Sequence, residues 1–491
     1  MKEQPRDWRD ERIAELERTV AELKVEHERT VAELKAENEE LRLALREVLA
    51  RNKELERQLG LNSQNSSKPP STDDERARKK RRRRKSGRRP GGQPGHEGHC
   101  RELLPEEKVD HFLSYFPTAC DECGCELSGN DAIGEPYRHQ VFELVPKLVE
   151  CTEHQAFTCQ CPACGETTRG QPPTQVSRSG WGPRLVGLIG TLSVICRDSR
   201  RQADWFVSEV LGAPSSVGTI QKHLEEVSAG LEPGFEQIRA AIREVSTGIG
   251  LDETGWRLGN LPYWVWVAES DEMALYLVRQ RRTKEVAQEL VGDPAQRVFI
   301  TDRYGAYSFL RPSHHQICHA HLLREFTAMS ARDGPIGRIG TQLCALSREL
   351  QKQWARLKSG DRLSDDFVTW ANVEVRPEWE RLLNDAKAIS SKEPAVVRWL
   401  LKEERLGLAW TFLDFDGVEP TNNGAERALR GPVIQRKLSW GSKSNAGLRL
   451  MERLWTAVET CRRQGRSVLD YITDAVNAFR NGSQVPILRP V

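Results

Sequence analysis

Between Ile249 and Cys318 the chain alternates strand-type and helix-type patterns in an order that leaves few folds open. An apolar approach, Ile249 to Leu251, leads into Asp252 of the stretch LDETGW. Trp256, Leu258 and a Gly259-Asn260 turn follow, then YWVWVA and ALYLV. Three β-rich runs parted by turn residues predict a three-stranded meander with Asp252 inside its first strand. TKEVAQELVG has the spacing of an amphipathic helix. RVFITDRYGAY holds a buried-type strand, Val298 to Thr301, that delivers Asp302 at its end. HHQICHAHLLREF adds a fifth strand near Gln316 to Cys318 and then a helix.

Strand, strand, strand, helix, strand is the order of a ribonuclease-H-like α/β core, in which the first and fourth strands are neighbours. Asp252 and Asp302 are therefore expected side by side. A third acid, Glu426, lies far along the chain in VEPTNNGAERALR. Taken alone it has a plain explanation: with Asn423 as N-cap, a Glu at the third helical position bonds back to the cap amide. A helix after the fifth strand can equally supply a last metal ligand opposite two strand aspartates. Three carboxylates of this kind suit two Mg²⁺ (or Mn²⁺) ions, which prefer oxygen ligands and keep water or phosphate in their shells. Arg427, Arg430, Arg436 and Lys437 follow on the same stretch as candidates for gripping DNA phosphates. GSKSNAG beyond them lacks the spacing of a phosphate-binding P-loop. Cys318, His319 and His321 form either a metal cluster or a structural strand end.

The expected organisation is α+β and multidomain. With 491 residues the chain has room for roughly two to four domains. Residues 12–59 lack Gly and Pro, and Val31, Leu34, Asn38, Leu41, Leu45, Val48, Asn52, Leu55 and Leu59 fill successive a and d positions. Mostly Leu at d with Asn at a predicts a parallel dimeric coiled coil. ERTVAELK occurs at 17–24 and again at 28–35, which shifts the frame. The alternative is a single solvated helix. Residues 60–111 read as a disordered basic linker. Eleven of the fourteen residues from Arg76 to Arg89 are Lys or Arg, with Arg81, Arg82, Arg83, Arg84 and Lys85 at the centre. Such a run suits nucleic acid phosphates or serves only as a charged spacer.

Residues 112–170 carry CDECG and CPACG, two matching knuckles. Cys120, Cys123, Cys161 and Cys164 are the expected ligands of a tetrahedral Zn²⁺ in a zinc ribbon, with Cys125 and Cys159 as substitutes. Residues 180–245 are helical. SEVLGAPSSVGTIQKHLEEV forms a candidate helix-turn-helix, either a DNA reader or a pair of core helices. The ribonuclease-H-like core then occupies 246–332 and 416–480, interrupted by a helical insertion at 333–415. No window approaches a membrane span and the N-terminus lacks an apolar h-region, so a cytoplasmic protein is expected.

NSSKPPSTD, GGQPGHEGH, the two knuckles, DETGW, TDRYGAY, CHAHLLREF and EPTNNGAERALR, in this order, closely resemble the motifs of the IS66 insertion-sequence transposases, of the DDE class. The resemblance runs from the coil to about Ile472. It implies Asp252, Asp302 and Glu426 as a catalytic triad for metal-dependent strand cleavage and transfer. It also implies double-stranded inverted-repeat ends and target DNA as partners, accessory proteins of the same element, and a bacterial, nucleoid-associated setting. Arg303 departs from the Gly expected after the second aspartate, and TCQCPACG has a surplus Cys, which leaves the third zinc ligand open. Two other readings stand beside it: an inactive zinc-containing dimeric DNA-binding protein on the same scaffold, and a ribonuclease or resolvase, which leaves the coil, tract and ribbon without a role.

Overall fold

The computed structural model describes residues 8–59, short stretches within 103–171, and 180–490 apart from 247, 390–393 and 403–404. Its first element is helix α1 (Trp8–Leu59). A small antiparallel hairpin, β1 (Thr158–Gln160) with β2 (Thr167–Arg169), brackets the CPACG sequence. Helices α2 (Pro183–Thr191), α3 (Arg200–Trp205) and α4 (Val217–Ala241) precede the main sheet.

That sheet has five strands: β3 (Ile249–Leu258), β4 (Leu261–Glu269), β5 (Ala274–Arg279), β6 (Phe299–Thr301) and β7 (His315–Ile317). Their spatial order is β5-β4-β3-β6-β7. The first three form an antiparallel meander, and Leu258 opposite Leu261 closes the β3–β4 turn. β6 and β7 run parallel to β3. A parallel return needs a crossover, supplied here by α5 (Lys284–Val291) between β5 and β6. The first and fourth strands are thus adjacent, in the order that the alternation of patterns predicted. The continuous burial of Val265–Ala268 and Ala274–Val278 reflects cover on both faces of the sheet.

An edge strand exposes unpaired amides, and β5 is an edge. Helix α13 (Asn445–Arg463), which follows α11 (Asn423–Ala428) and α12 (Arg430–Ser439), closes it with side chains. The amides of Ala274, Tyr276 and Val278 donate to Thr460 Oγ1 (3.2 Å), Thr456 Oγ1 (3.1 Å) and Glu452 Oε1 (2.6 Å). The match is geometric: four helical residues rise about 6 Å, close to the roughly 6.6 Å between alternate strand residues. At the other edge, Phe412 N–H donates to Gln316 Oε1 (2.9 Å) and Thr411 Oγ1 to His315 O (3.0 Å).

The final helix, α14 (Val468–Asn481), packs against α2 and α4. The helix-turn-helix segment forms as a local shape. Ser216 caps α4 by accepting from Thr219 N–H, and Ile220 and Leu224 turn inward to full burial. Helices α6 (His319–Ser330), α7 (Gly334–Lys358), α8 (Ser364–Trp370), α9 (Arg376–Ile389) and α10 (Ala395–Leu400) follow β7 in the chain. Residues 320–402 have their own core around Trp379, with Phe326 edge-on to it at 5.1 Å. Helical spacing drew an insertion at 333–415, whereas the helices that cluster apart from the sheet run over 320–402. The reason is visible at 407–413, short turns that bond to β7 and belong with the sheet.

On α1 the a and d residues Leu34, Leu41, Leu45, Val48 and Leu55 are all exposed, as are Val25, Leu43 and Leu49 off that seam. Among the described residues no helix is long and apolar enough to cross a membrane.

Thr456→Val removes the acceptor for Tyr276 N–H without changing side-chain volume. An orphaned buried amide costs about 1–3 kcal/mol, so hydrogen exchange at Tyr276 should accelerate, while Thr456→Ser keeps it slow. Equal protection in the valine variant would show that α13 does not seal this edge.

Candidate active site

The register of two parallel strands places the aspartates. Gly250 of β3 lies opposite Ile300 of β6, and Asp252 and Asp302 each follow two residues later. Residues i and i+2 share a face in extended chain, so the two carboxylates leave the sheet together. Asp252 Oδ1 accepts from the Glu253 amide (2.8 Å), and Asp302 Oδ1 from the Tyr304 amide (2.8 Å). Burial first, then the charges of Glu253, Asp302 and Glu426, push the Asp252 carboxyl well above the ordinary range. Burial also raises Asp302, against the pull of the Tyr304 amide and of Arg282 and Arg303.

Glu426 comes from α11. The expected capping box is not what forms: Asn422, not Asn423, is the N-cap, and it makes no side-chain cap bond. Glu426 sits one residue deeper, its amide donating to Asn422 O at 3.2 Å. The capping explanation for this acid therefore falls away. Asn422 does a different job. Its Nδ2 donates to Leu251 O (2.6 Å), the residue before Asp252, and its amide donates to Cys318 Sγ (3.1 Å). His319 N–H donates to Pro420 O (2.9 Å), and Tyr276 Oη to Ala428 O (2.8 Å).

Close approach of α11 depends on glycine. A Cβ at Gly424 or at Gly250 would collide with the Glu269 carboxylate. Glu269 is itself buried and ion-paired to Arg463 at 2.6 Å, and burial pushes it up to about 7 against that pairing.

The structure thus brings all three acids within electrostatic reach, with Glu426 the weakest of the three carboxylates acting on Asp252. Among the described residues no three His, Cys, Asp or Glu side chains already surround one point tightly enough for a cation. Asp252, Asp302 and Glu426 nevertheless offer hard oxygen donors of like charge, a set whose mutual repulsion a divalent ion relieves. Cys318 and His319 are occupied structurally: the thiol receives the Asn422 amide, and His319 Nε2 meets Ala409 O at 2.6 Å. Burial lowers the His319 pKa to about 4.

Sequence reading missed a fourth acid. Glu253 is buried and held by Arg282 Nε (2.8 Å) and the Tyr307 hydroxyl. Arg282 lies over the rings of Tyr304 (3.6 Å) and Trp264 (4.8 Å). This places a cation beside the acidic cluster. Arg427, Arg430 and Lys437 are exposed. Arg436 is instead half-buried, its guanidinium donating to Gly255 O on β3. Of the zinc residues, Cys164 is exposed in the turn between β1 and β2. Cys120, Cys123 and Cys161 lie outside the described residues, as do Arg81 to Lys85.

Because folding raises the Asp252 pKa, its contribution to stability is full below the ordinary carboxylate range and is lost as pH rises through the raised value. Asp252→Asn removes that loss. In metal-free buffer at pH 8 the variant should be more stable than the wild type by on the order of 1 kcal/mol. Thermal unfolding across pH 5–8 checks this: a variant that melts lower throughout would mean Asp252 is a structural residue.

A family model described as transposase IS66 family matches residues 199–450. A second, described as a family of unknown function (DUF6444), matches residues 4–102, which include α1. The chain is 26% identical over 393 residues to the uncharacterized protein y4hP of Sinorhizobium fredii, covering 70% of this chain and 68% of that protein. It is 25% identical over 257 residues to uncharacterized protein y4qI of the same organism, covering 46% of each, so it spans less than half of that relative. The transposase match takes in more than half of the chain together with Asp252, Asp302 and Glu426, and the protein belongs to the IS66 family of transposases.

Proposed function

We propose that this protein cleaves and joins DNA strands at the inverted-repeat ends of a bacterial insertion sequence, on a ribonuclease-H-like core. The observation that carries the reading is the shared level and face of Asp252 and Asp302 on adjacent parallel strands, with Glu426 on a helix anchored to Leu251. The strand order β5-β4-β3-β6-β7 supports the core assignment.

In this reading Asp252, Asp302 and Glu426 would hold two Mg²⁺ or Mn²⁺ ions, whose chemistry would be to activate a water or 3′-hydroxyl and stabilise the leaving oxygen. The protein's own work is positional. The Glu253 and Tyr304 amides fix one oxygen of each aspartate, leaving the other to face ligand. Asn422 keeps α11 at a set height above β3. Arg427, Arg430 and Lys437 steady the DNA backbone. Cys120, Cys123, Cys161 and Cys164 bind Zn²⁺, α1 pairs with a second copy, and the tract around Arg81–Lys85 collects DNA through phosphates. The work is done in the cytoplasm, alongside accessory proteins of the same element.

Strand transfer with end DNA should require Mg²⁺ or Mn²⁺ and stop on chelation. Asp252→Ala, Asp302→Ala and Glu426→Ala should each lower the rate by at least a hundredfold, since losing preorganised charge stabilisation typically costs about 10²–10³. Wild-type activity in all three variants eliminates the site.

A further inference from the structure

Helix α12 ends on a residue that its environment does not favour. Trp440 takes left-handed backbone, φ 62°, one of two non-glycine residues with positive φ among those described, and its side chain is 73% exposed. Left-handed geometry is costly for a bulky L-residue, and the exposed indole gains little burial in return.

The backbone around it, by contrast, is tied down from several sides. Trp440 N–H donates to Arg436 O (2.9 Å). Ser442 N–H donates to Arg257 O (2.9 Å), Gly259 N–H to Ser442 O (2.8 Å), and Trp256 Nε1 to Ser442 Oγ (3.2 Å). Gly441, at φ 112°, sits where any Cβ would collide with Arg257 O. The segment is thereby stitched to the tip of the β3–β4 hairpin as a short parallel bridge, Leu258 with Ser442. Strain held in place by a rigid mount, with an exposed side chain as its product, points to a ligand for that side chain.

Charge identifies the ligand's class. Arg257, Lys437 and Lys443 are exposed on the same segments, and no Asp or Glu occurs between Glu426 and Glu452. A rigid aromatic face among cations is the combination that stacks on a nucleobase while neighbouring phosphates are neutralised.

We propose that Trp440 is a base-stacking residue that engages end DNA away from the cut. This rests on the reading of Asp252, Asp302 and Glu426 as the cleavage centre. Leu258 is six residues along β3 from Asp252, so at about 3.3 Å per residue the hairpin tip lies roughly 20 Å from the carboxylates. That span equals about six base-pair steps at about 3.4 Å each. A duplex running along β3 would thus place the stacked base about six positions from the scissile phosphate.

The test uses the full chain and a duplex carrying the terminal inverted repeat, with thymines placed in turn at each position flanking the cleavage point. Permanganate attacks a thymine drawn out of the duplex stack, and a base stacked on one indole remains open to it on the other face. Wild type and Trp440→Phe should give a reactive thymine about six positions from the cut. Trp440→Gly should lose it and bind end DNA roughly tenfold more weakly, in line with the loss of one stacked base. The glycine variant should also melt higher than wild type, because glycine adopts the left-handed backbone freely, so the loss cannot be ascribed to misfolding. A wild type that binds and cleaves the ends, with a footprint and affinity unchanged in Trp440→Gly, overturns the Trp440 assignment alone. So does a change confined to oligomeric state. A wild type that neither binds nor cleaves end DNA overturns both this assignment and the cleavage reading beneath it.

Discussion

The parallel pairing of β3 with β6 is the constraint on which the rest depends. It consists of two residue pairs, Ile249 with Phe299 and Gly250 with Ile300, yet it sets two aspartates at one level on one face. Shifting the register by one residue would turn one aspartate to the opposite face and dissolve the site. The pairing is secured from a distance: Ile249, Phe299 and Ile300 are buried, and both sheet edges are sealed by side chains from elsewhere in the chain. Burying the two acids is unfavourable: burial raises the pKa of each, and for Asp252 the neighbouring charges of Glu253 and Asp302 add to it. The fold tolerates that cost because it is met by a large, continuous core.

Glu253 illustrates how the surrounding protein manages the acidity. Its neighbour on β3 is Asp252, and two ionised carboxylates so close would compound the repulsion. Arg282 and Tyr307 hold Glu253 in the interior, and Arg282 is itself fixed by stacking on Tyr304 and Trp264. A buried charge without such partners would be strongly destabilising. One acid of the DE pair is thus neutralised within the protein, while the other keeps an oxygen for ligand. The stacked arginine also draws the Asp302 pKa down, partly offsetting the effect of burial.

What could be read from the sequence follows from the range of the interactions involved. The meander, the crossover helix and the position of each aspartate were legible because strand alternation and turn residues are local signals, whereas the placing of β3 beside β6 came from matching the order of elements to a known core. Glu253 was hidden, since DETGW shows two adjacent acids without revealing that the second turns toward Arg282, a residue on another segment. The cap of α11 was misplaced by one residue because Asn422 and Asn423 are chemically equivalent cap candidates. Only tertiary contact, Asn422 with Leu251 and Cys318, distinguishes them. The attachment of 407–413 to β7 was hidden for a similar reason: those turns carry no periodicity, and their bonds to the strand are visible only in space.

Those same contacts explain how a third acid can come from so far along the chain. Residues 320–402 stand between β7 and the segment that carries Glu426. Closing a long loop costs only slightly more than closing a short one, since the entropy grows with the logarithm of length. The difficulty is precision rather than entropy, because a helix returning after so long an excursion needs a landmark. Cys318 and His319, the last residues before the excursion, supply it by bonding to Asn422 and Pro420 on the way back. Departure and return are clamped at one place, and the Asn422 side chain then reaches Leu251, one residue from Asp252. The CHAH and PTNNGAE motifs are thereby halves of one clamp, and these few bonds fix the height of α11 over the sheet.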